Sequence, residues 1–364
     1  MDIHEFLAPV PYEVKPENHS NYQVIDIVNF DDLDQIDDNS IVLCGLGEYQ
    51  DYFDIEDQHF SLVRNHFFQL SKSNWKKKIY DIGTVLAGQT VEDSCFALHQ
   101  VTQKIVDRGA LLIVLGGSQA MSYILYEAIQ KDLMKVATVD IKLDIDGSID
   151  NLSQDNHITK MILNEEHRLL DFFNLGSQAP YVAKEELDIL EQLNFENIRL
   201  GKITEDVSKA EPLLREIDLL SVDMNAMQHN TFKAALKTTP NGFNSREICA
   251  LMRYAGLNDH LKVLHISNFY PEPSSVDSYL LAEMLWYFIE AQNNQKIDGE
   301  LERYRVQLEE DEVIFIKSPN SERWWLQMII DNQKRNIPCN YEDYLTALGG
   351  EYPDIWLKFF KKFY

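Results

Sequence analysis

Basic side chains are scarce in this sequence. Lys and Arg number 33 against 59 Asp and Glu over 364 residues, a formal charge of −26. Phosphate backbones are bound by clustered cations, and the short basic runs here are Lys76-Lys77-Lys78 and Lys361-Lys362, which read as solvated faces. No nucleic-acid partner is expected. Apolar runs long enough to cross a bilayer are missing, so no membrane partner is expected either. Met1-Asp2-Ile3-His4-Glu5 lacks the basic-then-apolar order of a secretory leader. Cysteine is sparse: Cys44, Cys95, Cys249 and Cys339 lie far apart with no C-x-x-C pair. They read as buried free thiols rather than disulfides or zinc ligands, and a cytoplasmic location follows. Repeats and low-complexity tracts are missing as well. The content of 45% hydrophobic and 25% charged residues excludes a disordered chain.

What is present is a series of short apolar runs. The first forty residues, with the acidic Asp31-Asp32-Leu33-Asp34, read as an irregular lead-in over the surface. Ile41 to Gly47, a short apolar run ending in glycines, then predicts a buried strand entering a tight loop. Its G-x-G lacks a third glycine at the dinucleotide spacing, so it is a weak phosphate signal. A helix is predicted from Val91 to Arg108, a strand from Leu111 to Leu115, and a helix from Ala120 to Ile129. Further strands are predicted at Val136 to Asp140, Asp171 to Gly176, Ile217 to Met224 and Leu261 to Ile266. Strands alternating with helices point to a mainly parallel sheet covered on both faces. Tyr279 to Ala291 closes an α/β domain of residues 1–292. Residues 293–364 read as a C-terminal α+β extension packed on the core, with one strand (Glu312 to Ile316) and a helix or two.

In such sheets ligands bind beyond the carboxyl ends of the strands. Three predicted strand ends are polar. The first is Gly116-Gly117-Ser118-Gln119-Ala120, the second Asp140-Ile141-Lys142-Leu143-Asp144-Ile145-Asp146, the third Ser221-Val222-Asp223-Met224-Asn225. Strand alternation would point Asp140, Lys142 and Asp144 the same way, and Asp223 with Asn225 likewise. Taken singly, His157 reads as a surface or hydrogen-bonded loop histidine, His265 as a satisfied buried one, and Asp146 as a turn former.

Over roughly residues 40 to 290, these motifs resemble the ureohydrolases, the arginase–agmatinase–formimidoylglutamase family. That family carries G-G-D-H-S, D-x-H-x-D and S-x-D-x-D at strand ends, in this order. The resemblance implies a three-layer α/β/α sandwich with a mainly parallel central sheet. It also implies two Mn²⁺ ions held by two His and four Asp, whose positions here are Gln119, Asp140, Lys142, Asp144, Asp223 and Asn225. His157 falls at the distance past Asp144 where arginases place a proton shuttle, and Asp146 where the family binds the amino-acid end of the substrate. Gly176-Ser177-Gln178 is similar to the strand-end G-x-Q of formimidoylglutamases. The family's E-x-N-P stretch is replaced by His265-Ile266-Ser267-Asn268, which bears on substrate recognition. Members commonly form trimers or hexamers, so a homo-oligomer is one expectation.

Three of the six ligand positions keep Asp and three do not. Both histidines are lost, and a protonated lysine has no lone pair to give a metal. Clustered carboxylates need compensating positive charge. Lys142 is expected to supply it as an internal ion pair with Asp140 and Asp144. The expected cofactor is therefore none, with a single Mn or Mg ion as the alternative. The adopted reading is a non-catalytic binding or scaffolding protein for a protein partner or a small guanidino or amino-acid-like ligand. One alternative is a residual hydrolase of linear amidine C–N bonds using one metal or none. Another is a serine hydrolase with Ser118, Asp223 and His265, because G-G-S-Q-A approximates a nucleophile elbow.

Overall fold

The computed structural model describes residues 6–10, 20–28, 30–50, 60–146, 150–309, 311–330 and 333–363. The leader reading of Met1 to Glu5 lies outside them. Ten strands of the described residues form one sheet. They are β1 (Leu7–Ala8), β2 (Ile25–Ile27), β3 (Ile41–Leu46), β4 (Ile79–Val85), β5 (Leu111–Leu115), β6 (Leu133–Val139), β7 (Arg168–Ser177), β8 (Glu196–Arg199), β9 (Leu219–Asp223) and β10 (Val263–Ser267). The order across the sheet is β1-β4-β3-β5-β10-β9-β6-β7-β8, with β2 also on β4. Every pairing is parallel except β1 with β4.

Alternation along the strands splits the core in two. Ile41, Leu43, Leu111, Ile113 and Leu115 join one buried cluster, while Val42, Cys44, Leu112 and Val114 join the other. With both faces covered, no strand position needs to be polar, hence the uninterrupted apolar runs. The helices are α1 (Ser61–Gln69), α2 (Val91–Val106), α3 (Ser122–Ala128), α4 (His157–Leu163), α5 (Lys184–Leu193), α6 (Leu200–Glu205), α7 (Ala210–Leu214), α8 (Ser245–Gly256) and α9 (Ser275–Asn293). Side chains of α1, α7, α8 and α9 fill the first cluster, and those of α2 to α5 fill the second. The result is the expected three-layer α/β/α arrangement. Start signals are local: Thr90 and Asp93 form a reciprocal capping box at α2, and Asn244 with Glu247 does the same at α8. No helix among the described residues is long and apolar enough to cross a membrane. Cys44, Cys249 and Cys339 are buried free thiols, and Cys95 is half-buried.

Two expectations are corrected. The lead-in is not wholly irregular, since β1 and β2 add to the sheet and Leu33 and Ile36 are buried against it. Its few apolar residues are spaced among charges, which hid their common burial. The C-terminal extension holds four strands, not one: β11 (Glu302–Leu308), β12 (Asp311–Lys317), β13 (Trp324–Ile330) and β14 (Gln333–Cys339), an antiparallel sheet in sequential order. Helices α10 (Tyr341–Leu348) and α11 (Asp354–Phe363) follow. One face of this sheet, with Val306, Leu308, Phe315, Trp324, Leu326 and Ile337, makes a third core. The strands β11 and β14 mix the apolar residues with charged and polar ones, so they give no apolar run. Arg215 docks the extension on the main core: its guanidinium donates to the Trp324 carbonyl at 2.8 Å and lies over the Trp325 ring. Arg323 reaches back to Glu211 at 3.1 Å.

Candidate functional site

The central strands β5, β10, β9 and β6 are adjacent, so their carboxyl ends deliver four loops to one place. After β5 the chain turns through Gly116 and Gly117, at φ 89° and 75°. A Cβ on Gly116 would lie 2.1 Å from the Phe60 ring, so sterics as well as backbone conformation require glycine there. The turn places Ser118 as cap of the short 3₁₀ turn Gln119–Met121. Gln119 Nε2 then donates to Asp140 Oδ2 at 2.7 Å, and the Lys142 backbone N–H donates to Asp140 Oδ1 at 2.9 Å. The Asp144 carboxyl is buried within the fields of Asp140 and Asp223, both of which oppose its ionised form. Asp223 receives the backbone N–H of Asn225 at 2.8 Å and its side-chain Nδ2 at 3.2 Å. The Asn225 Oδ1 is engaged by the Lys237 backbone N–H at 2.6 Å.

Burial dominates the electrostatics here. It raises the pKa of Asp140, and together with the charge of Asp140 it pushes Asp144 and Asp223 well above the carboxylate range. The field of Asp223 adds to the effect at Asp144.

Lys142 does not join Asp140 and Asp144 in an ion pair. Its Nζ lies 2.8 Å from Asp155 Oδ1, and the side chain is 37% exposed. The physical reason is local: β6 ends at Val139, and strand alternation ends with it. Residues 140–146 form a bent loop in which Asp144 adopts a left-handed φ of 52°. Asp144 turns in and Lys142 turns out. Burial works to lower the Lys142 pKa, but the Asp155 hydrogen bond, with the fields of Asp155, Asp144 and Asp140, raises it overall.

His157 opens α4 and is fully buried rather than on the surface. Its Nδ1 lies 2.9 Å from the Gln154 carbonyl and 3.9 Å from Asp144 Oδ2, while Nε2 has no hydrogen-bond partner among the described residues. Burial depresses its pKa to about 4, so at neutral pH the ring is uncharged. With Nδ1–H donated to Gln154, Nε2 presents a free lone pair. His265 is fully buried too, but both its nitrogens are engaged, Nδ1 with Ser122 Oγ at 2.8 Å and Nε2 with the Gly116 carbonyl at 2.9 Å. The serine-hydrolase set is therefore not assembled. Ser118 Oγ donates to Gln50 Oε1 at 3.2 Å, and no triad contact links Ser118, His265 and Asp223 among the described residues. Asp146 is exposed, and its backbone ties the loop down: its N–H donates to the Asp155 carbonyl and its carbonyl accepts from Thr159 Oγ. Gln178 Nε2 donates to the Asn241 carbonyl.

Several residues at this place carry no linear signal. Asn268, at φ 61° just past β10, accepts the Gln119 N–H at 3.1 Å. Asp155 and Gln154 take up Lys142 and His157. Left-handed Asp and Asn at strand ends are the one hint, since these two types tolerate that conformation.

A profile of the Arginase family matches residues 58–289, well over half of the sequence. The chain belongs to the arginase family. Its fold is shared with formiminoglutamase of Trypanosoma cruzi, solved with Mn²⁺, at 15% identity and a TM-score of 0.62, covering 72% of this chain and 95% of that one. Formimidoylglutamase of Bacillus subtilis is similar at 15% identity and a TM-score of 0.65, covering 81% and 98%. A hypothetical agmatinase of Burkholderia thailandensis matches at 15% identity and a TM-score of 0.59, covering 72% and 86%. None of the curated proteins compared matches the chain in sequence.

Set against the two-cation centre that arginase-family resemblance implies, the donors present do not fit. Gln119 and Asn225 turn amide N–H groups, not oxygens, toward Asp140 and Asp223. The Asn225 oxygen is already committed to Lys237, and Lys142 offers an ammonium. Among the described residues no three His, Cys, Asp or Glu side chains are grouped as a ligand set.

Proposed function

We propose that this arginase-family chain does not run two-manganese hydrolysis and acts as a non-catalytic binding protein built on the ureohydrolase fold. One observation supports this above the others. The Asn225 side chain donates to Asp223 while its own oxygen is held by the Lys237 N–H, so a neutral hydrogen bond satisfies a carboxylate that a cation would otherwise neutralise. The reading is tested by loading the purified chain with Mn²⁺, measuring bound metal, and assaying formimidoylglutamate, agmatine and arginine. We expect well under one metal per chain and no turnover. About two Mn²⁺ per chain with turnover on any of the three would sink the proposal.

A second reading has one specific observation in its favour. His157 Nε2 is buried, uncharged and without a hydrogen-bond partner among the described residues, 3.9 Å separating the same ring's Nδ1 from Asp144. A neutral imidazole of this kind is a general base for water attack on an amidine carbon. Metal-independent turnover that disappears in His157→Phe would favour this reading over the first.

A further inference from the structure

Where the C-terminal sheet meets the main core there is a cavity of about 340 Å³. It lies between β7, α7, β14 and α11, where Lys135, Leu170 and Asp171 belong to the first halves of β6 and β7 rather than to the carboxyl ends that carry the motifs. Its walls are apolar: Leu170 and Phe173, Pro212 and Leu213, Ile337, and Phe359. The volume falls within the range of about 300–1,000 Å³ typical of small-molecule sites, at its low end.

The charges around this cavity almost cancel. Of the acids that line it, Asp171 is paired with Lys362 at 2.6 Å, Glu216 with Lys135 at 2.7 Å, and Glu196 with Lys358. The Lys358 ammonium also sits over the Phe173 ring, 5.2 Å from its centre. Arg335, on the exposed stretch of β14, is the remaining cation of the lining, and it has no ion-pair partner among the described residues. An uncommitted guanidinium in a chain of net charge −26 stands out electrostatically.

Apolar walls with a single free guanidinium match one ligand chemistry. A cation would be repelled by Arg335. A dianion would bring a second negative charge beside Asp171, Glu196 and Glu216. A purely apolar molecule would leave the guanidinium unused. We propose that the cavity binds a small amphiphilic monocarboxylate, its apolar body between the two cores and its carboxylate paired with Arg335 in bidentate fashion. Such a ligand touches both cores, so it fastens the C-terminal sheet to the main domain and raises the melting temperature. This inference does not rest on the reading of the Asp140–Asp144–Asp223 cluster.

The test uses the full chain and isothermal titration calorimetry with octanoate, 1-octanol and octylamine. Octanoate should bind saturably, octanol at least tenfold more weakly, and octylamine not at all. Arg335→Met, at an exposed position, should weaken octanoate at least tenfold and bring it level with octanol. Leu213→Trp, which fills the cavity, should remove binding of both. Asp144→Asn should leave octanoate binding unchanged, which separates this cavity from the acidic cluster. No octanoate binding by the unaltered chain, or equal affinity in Arg335→Met, overturns the proposal.

Discussion

Asn225 grips Asp223 twice, its backbone N–H on one carboxylate oxygen at 2.8 Å and its side-chain amide on the other at 3.2 Å. An aspartate at position 225 would replace one of those donors with a second negative charge. The site would then need a cation or a proton to stay folded.

Restoring the family's donors should therefore make stability depend on metal. In Gln119→His/Lys142→His/Asn225→Asp, removal of metal should lower Tm by several degrees, and Mn²⁺ should restore it in a concentration-dependent way. The unaltered chain should show no Mn²⁺-dependent change. Differential scanning calorimetry with and without a chelator makes the comparison. A variant that stays indifferent to Mn²⁺ would mean that Lys142, turned toward Asp155, is too far displaced for substitution to rebuild the centre.

The raised Asp144 pKa sets the sign of one pH effect. Its folded pKa lies above the unfolded one, so the folded chain binds more protons, and stability from this group is full below about pH 4 and lost as pH rises through the raised value. Asp144→Asn removes that loss and suits the left-handed backbone at this position. Urea denaturation should find the variant more stable than the parent at pH 8, with the gap closing toward pH 4.

His157 acts in the opposite sense. Its folded pKa of about 4 lies below the ordinary 6.5, so the unfolded chain binds the proton first. The stability it contributes is present above pH 6.5 and declines as pH falls toward 4, by up to about 3 kcal/mol. His157→Phe should flatten that part of the pH–stability curve relative to the parent. An unchanged slope between pH 6.5 and 4 would show that the ring charges without cost.

Arg64 and Asp81 form a fully buried ion pair, with Nε to Oδ2 at 2.8 Å and Nη2 to Oδ1 at 3.0 Å. The guanidinium also donates to the Gly83 carbonyl at 2.6 Å. Arg64→Met leaves a buried carboxylate without its partner and should cost about 3–5 kcal/mol. The double variant Arg64→Met/Asp81→Leu should recover much of that loss, as measured by urea midpoints.

Ser118 should be inert toward fluorophosphonate probes, because His265 is committed to Ser122 and Gly116. Labelling that disappears in Ser118→Ala would contradict this geometry.

The sequence by itself determined the family and six of the ten strands of the main sheet, while β1, β2, β4 and β8 emerged only in three dimensions. Runs such as Leu111 to Leu115 are buried on both faces and so read as apolar without interruption, and three polar strand ends follow them in an ordered series. In the C-terminal sheet β11 and β14 are largely polar and left far less trace, and the four-stranded pairing emerged only in three dimensions. Only the tertiary structure decided where Lys142 points. Residue spacing carries side-chain direction only as far as a strand continues, and β6 stops at Val139, one residue before Asp140. Beyond that point the left-handed turn at Asp144 sends Lys142 to Asp155. The carboxylates of Asp140 and Asp223 are then met by two side-chain amides and two backbone N–H groups, and no linear pattern of residue types could have specified that arrangement.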